Sequence, residues 1–158
     1  MRTENWCGHE IRFVEIKGEW YAILKDVCDA LDLQVGKVSQ RLDPDMLERV
    51  EVGVEVPSKH VHSQKFWMLA VNELGIYEAL FASRRLEARK FRRWSAGVMQ
   101  KLRNKVGLEG YEAFKMTDPT YQEQIDWILD SIYWDDEKKC LMQSVTVAGG
   151  DVEQVPFK

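Results

Sequence analysis

β-Branched and aromatic residues cluster early in the chain, in Ile11-Arg12-Phe13-Val14-Glu15-Ile16 and in Trp20-Tyr21-Ala22-Ile23. They lie on either side of Lys17-Gly18-Glu19, a glycine turn, so this stretch predicts a β-hairpin. The period then lengthens. Val27, Ala30 and Leu31 fall on one side of a short helix that Asp26 can cap or open, and the polar break Gln34-Val35-Gly36 ends it. Lys37 to Leu42 reads as a further turn or two of helix with Val38 and Leu42 inward, interrupted by Asp43-Pro44-Asp45.

Val50, Val52, Val54 and Val56 alternate with Glu51, Gly53 and Glu55, a period of two that predicts a half-buried strand. Lys65 to Val71 is its antiparallel partner, across a polar loop from Pro57 to Gln64. Asn72 is placed to cap a helix from Glu73 to Phe81, and a second helix begins near Ser83. In that second helix Phe91, Trp94, Val98 and Leu102 share one face, read as core, while Arg85, Arg89 and Arg93 stack every fourth residue on another. Trp20, Trp67 and Trp94 all fall in apolar patterns and are expected in the core. After Gly107, Asp118 and Pro119 mark a helix start, with Ile125, Ile128, Leu129 and Ile132 as its apolar face. Cys140 to Val147 and Val152 to Val155 flank Ala148-Gly149-Gly150-Asp151 as a second small hairpin. The expected class is α+β: two small antiparallel hairpins packed with short helices and one long basic helix, followed by an acidic helix and hairpin.

Charge changes this picture most. The chain has 158 residues and a net charge of −4, yet from Arg84 to Lys105 nine basic residues against the single acid Glu87 leave +8. From Asp118 to Lys158 the balance is −6. A solvated helix ordinarily mixes signs four residues apart, and stacking like charges costs a few tenths of a kcal/mol per pair. An anion outside the helix is therefore expected to offset the repulsion. Nucleic-acid phosphate, an acidic protein partner and the chain's own acidic C-terminal part all fit. An apolar content of 45% is enough for a core, and no apolar run is long enough to span a bilayer. Three widely spaced cysteines, Cys7, Cys28 and Cys140, fit reduced thiols, and a cytoplasmic protein is expected.

Several of these segments also carry a family resemblance. They are the strand Ile11 to Ile16, Gly18-Glu19-Trp20-Tyr21 leading into Lys25-Asp26-Val27-Cys28-Asp29-Ala30-Leu31, Val71 to Tyr77, and Ser83-Arg84-Arg85 with Glu87 to Trp94. Together they resemble the N-terminal domain of the BRO family, the module that opens many phage and prophage antirepressors. The sequence departs from the family's habit at Leu86 and Gln100, where prolines are common. The resemblance implies a module over residues 1–110 with an acidic appendage over 117–158. It also implies a regulatory protein of a host bacterial cell that binds DNA, a phage repressor or another regulatory protein, with a homodimer also compatible. The residues expected to bind are Arg84, Arg85, Arg89, Arg92, Arg93, Lys101 and Arg103 in the basic helix. The two-helix element from Asp26 to Leu42 adds Lys37, Gln40 and Arg41, although its spacing is not that of a helix-turn-helix and fits an ordinary helical corner with polar residues facing water better. A protein-directed inhibitor with no DNA contact is the competing reading.

Other chemistry is thin. Cys7, His9, His60 and His62 make a four-ligand set on paper, but the ligands within each pair are too close in sequence for structural zinc, so surface histidines are expected and no metal or other cofactor. There is no phosphate-binding glycine loop, nucleophile elbow or zinc-protease helix, and Asp135-Asp136-Glu137 point in alternating directions, so an enzyme is not expected.

Overall fold

The computed structural model describes residues 1–54 and 64–157, which fall into two compact units, Met1–Trp94 and Ser95–Lys158. Two tight turns fold the start of the chain back on itself. Cys7-Gly8 and Lys17-Gly18 all have positive φ, the conformation in which a two-residue turn matches strand twist. They link β1 (Arg2–Trp6), β2 (His9–Ile16) and β3 (Glu19–Ile23) into an antiparallel meander. The hairpin expected from the sequence is there, and β1 extends it by a strand.

The chain then enters α1 (Leu24–Leu31) and α2 (Val35–Arg41), followed by a 3-10 turn over Pro44–Met46. Ile23 holds the N-cap of α1 without a side-chain bond, so Asp26 is not the cap. Its carboxylate instead grips Arg12 of β2: Nε and Nη2 donate to its two oxygens at 2.8 Å each, and the Arg12 backbone N–H donates at 3.1 Å. Such a fork-to-fork pair fixes the angle of α1 on the sheet.

β4 (Leu47–Val54) and β5 (Gln64–Val71) pair antiparallel, as the alternating valines require, and Val52 is buried. The continuation of that alternation through Val56, with His60 and His62, lies outside the described residues. Pairing of Ala22 with Val71 and Ile23 with Ala70 joins both ribbons into one sheet of order β1-β2-β3-β5-β4. Asn72 caps α3 (Glu73–Ala82) by accepting the Gly75 N–H at 3.0 Å. Val38, Leu42, Val27, Cys28, Leu31 and Ala79 from the helices close over Ala22 and Val71, while Tyr21, Ile23, Val52 and Ala70 form a second cluster. Burial pushes the Cys28 thiol up to about 11, so it serves as a small apolar filler.

The three tryptophans depart from expectation: Trp20, Trp67 and Trp94 are 45%, 69% and 65% exposed. Trp20 precedes the buried stretch of β3, which begins at Tyr21. Trp67 stands opposite Glu51, three residues outside the two-pair junction that joins β5 to β3. Trp94 lies in α4 (Leu86–Lys105), which crosses the division between the units.

In the second unit, a 3-10 helix over Gly110–Thr117 opens with Glu109 and Glu112 capping each other's backbone N–H. Asp118 caps α5 (Pro119–Asp130) as expected, accepting from the Thr120 N–H at 2.8 Å. Ile125 is buried in α5, but Leu129 is exposed and Ile132 belongs to a strand, because the helix ends at Asp130. β6 (Ile132–Asp135), β7 (Cys140–Thr146) and β8 (Val152–Pro156) form a sheet of that order, so the expected hairpin gains a strand and buries Met142. The molecule is α+β, and its described residues form two antiparallel sheets.

Candidate functional site

The basic segment is anchored where α3 turns into α4, on the C-terminal end of α1. The last carbonyls of a helix lack partners within it, and they carry partial negative charge. Here the corner residues supply them. Ser83, fully buried, donates its hydroxyl to the Leu31 carbonyl at 2.8 Å and accepts the Arg85 N–H at 3.2 Å. Arg85 Nη1 donates to the Ala30 carbonyl at 2.8 Å, lies 3.1 Å from His9 Nε2, and its guanidinium stands 5.9 Å from the centre of the Trp6 ring. Arg92 donates to the carbonyls of Phe81 and Ser83, closing the end of α3. In the second unit, Arg103 donates to the Leu108 carbonyl.

The arginines expected to act alike are thus divided by their partners. α4 starts at Leu86, and Arg85 accepts the Arg89 N–H through its carbonyl, one residue ahead of the helix. Arg85, Arg92 and Arg103 hold the backbone together. Arg84, Arg89, Arg93 and Lys101 are exposed, as are Lys37, Gln40 and Arg41. Among the described residues, none of the cations in this exposed set forms an ion pair with a carboxylate.

Two of the separately expected elements meet at one place. A cleft of about 480 Å³ has on one side the α1–α2 turn, with Asp32 and Gln34, and the first turn of α2, with Lys37, and on the other the α3–α4 corner, with Ala82, Arg84 and Arg85. It brings Lys37 to the basic segment. Gln40 and Arg41 are not among its lining residues, and Arg41 lines a smaller crevice with Glu78 and Ala82. The sequence offered no sign of this meeting, because it depends on how α2 and α3 pack through Val38, Leu42 and Ala79.

Beside the exposed cations runs an aromatic row. Phe91 stacks between Tyr77 and Phe81 of α3, with ring centres 5.9 and 5.8 Å away, and Trp94 follows at 6.0 Å. Lys90 and Trp94 are four residues apart in α4 and so share a helix face. Of the paper zinc set, Cys7 is exposed in its turn and His9 faces Arg85, while His60 and His62 lie outside the described residues. Among the described residues no group of three His, Cys, Asp or Glu side chains could hold a metal ion. Asp135 instead closes a turn, accepting the N–H groups of Glu137 and Lys138. No described helix is long and apolar enough to cross a membrane.

Comparison with known proteins found no matching curated protein and no matching solved structure. One family model does match, the BRO family, N-terminal domain, over residues 10–102, from β2 through most of α4. This domain is associated with phage antirepressors and DNA-binding regulatory proteins, a regulatory and not a catalytic setting. Since the match covers more than half of the chain and includes the corner, the cleft and the basic helix, the protein belongs to the BRO family by its N-terminal domain.

Proposed function

We propose that this protein is a phage or prophage regulator of the antirepressor type that binds DNA. The binding surface runs from the cleft of Lys37 and Arg84 along Arg89 and Arg93, flanked by Gln40 and Arg41, and Lys101 of the second unit is a further contact. The module extends over residues 1–110, and the acidic segment over 117–158 is an appendage to it. The observation that carries this reading is the convergence of Lys37 and Arg84 in one cleft while, among the described residues, Arg89 and Arg93 extend the row without carboxylate partners. Arginine and lysine suit a line of phosphates, and glutamine suits an adenine edge. Arg85 and Arg92 contribute by holding that surface in shape, and Arg103 by tying the end of α4 to Leu108.

The test is a duplex titration over a range of salt concentrations with the triple variant Arg84→Ala, Arg89→Ala, Arg93→Ala. Each lost phosphate contact should flatten the slope of log K against log salt by about 0.9. Unchanged affinity and slope in a folded variant would sink the DNA reading. A second reading, sequestration of a repressor or other regulatory protein, is favoured by the exposed Trp94 next to Phe91, which itself stacks on Phe81 and Tyr77. Fragment selection from the parent phage genome and size-exclusion chromatography with the phage repressor distinguish the two. Enrichment of one sequence supports DNA, and a stoichiometric complex without enrichment supports sequestration.

A further inference from the structure

The N-terminal end of α3 carries a surface of opposite character to the basic corner at its other end. A groove of about 790 Å³ is walled by Phe13, Trp20, Leu74 and Ile76, with Glu19 and Glu73 but no lysine or arginine among its described lining residues. Trp20 and Leu74 stand 45% and 58% exposed, large apolar side chains turned to water inside one concavity. Tyr77 donates its hydroxyl to Glu73 Oε1 at 2.5 Å, which orients that carboxylate and leaves its second oxygen as an acceptor. Among the described residues neither Glu19 nor Glu73 forms an ion pair.

We propose that this groove docks a cationic, amphipathic segment of a partner protein, with a lysine or arginine held by Glu19 and Glu73 and an apolar residue seated on Trp20 and Leu74. Charge complementarity selects the occupant. Two unpaired carboxylates repel phosphate, so nucleic acid is the wrong ligand here, whereas they attract a guanidinium or ammonium group. An exposed indole beside them adds the favourable face that a desolvated cation seeks. Phe13 and Ile76 deepen the apolar floor, which an anchor side chain needs in order to exclude water. A ten-residue α3 spans about 15 Å between this groove and the basic cleft, so the two surfaces can be occupied together.

The test uses the full chain and a twelve-residue probe peptide of alternating arginine and leucine, with a glutamate-for-arginine peptide as control. Backbone amide and indole N–H resonances are followed by NMR during titration. Shifts are expected at Gly18–Trp20 and Asn72–Ile76 with the basic peptide alone. Glu19→Gln with Glu73→Gln should weaken binding about tenfold, the effect of losing two half-exposed ion pairs. Trp20→Ala should weaken it without any change of charge. The variant lacking Arg84, Arg89 and Arg93 side chains should bind the peptide as the wild type does, which separates this site from the DNA surface. Shifts confined to the acidic residues of α5, equal binding of the acidic peptide, or indifference to both groove variants would overturn the proposal.

Discussion

Arginines that look interchangeable in a sequence differ according to what their guanidinium groups meet. Arg85 lies 2.8 Å from the Ala30 carbonyl and against Trp6, so truncating it strands a helix-end carbonyl and removes a cation from the negative pole of α1. Arg85→Ala should therefore lower stability by about 2 kcal/mol, read as a lower urea midpoint at unchanged slope. Among the described residues the Arg89 side chain has no such partner. The stability of Arg89→Ala should stay within about 0.5 kcal/mol of wild type while its duplex affinity falls. Equal loss of stability in both variants would refute the division of roles. The four-residue spacing of Arg85, Arg89 and Arg93 could not reveal this, because periodicity assumes that all three lie on the helix. Leu86 held the missing sign: a position where the family favours proline marks a first helical residue, which puts Arg85 outside.

At the scale of elements, segments with one buried side were legible and those without one were not. Alternating valines gave β4, Asn72 gave the start of α3, and Asp118-Pro119 gave the start of α5. β1 is missed by such reasoning because it is an edge strand, Arg-Thr-Glu-Asn-Trp, in which Trp6 alone is even partly covered, so no alternation is written in it. β6 is four residues long, too short for a period to register. The cleft needs the packing of α2 against α3, which no local pattern encodes. Two substitutions test the element boundaries from opposite sides. A Cβ at Gly75 would collide with the fully buried Val71 Cγ2, so Gly75→Ala should cost about 1–3 kcal/mol through overpacking. Leu86→Pro places proline at the first residue of α4, where the N–H has no partner within the helix. It should be neutral or stabilise by up to about 1 kcal/mol. Thermal unfolding checks both, and a strongly destabilising proline would mean that α4 starts earlier than Leu86.

For the molecule as a whole, the difficulty is a net charge of −4 on a protein proposed to hold a polyanion. Long-range repulsion by the acidic segment lowers the local concentration of DNA, while the exposed cations act over a few ångströms. The two effects differ in their response to salt. Screening shortens the reach of charge to about 8 Å at physiological ionic strength, so distant acids fade first and contacts persist longer. Glu123→Gln, Asp126→Asn and Asp130→Asn together, all on exposed positions of α5, bring the net charge to −1. This variant should bind random duplex more tightly than wild type near 20 mM salt, and the advantage should shrink towards nothing by about 0.2 M. An advantage that survives at high salt would instead mean that these carboxylates oppose DNA at contact range. No advantage at either salt would mean that net charge is irrelevant and that the cations of the corner and of α4 alone set the affinity.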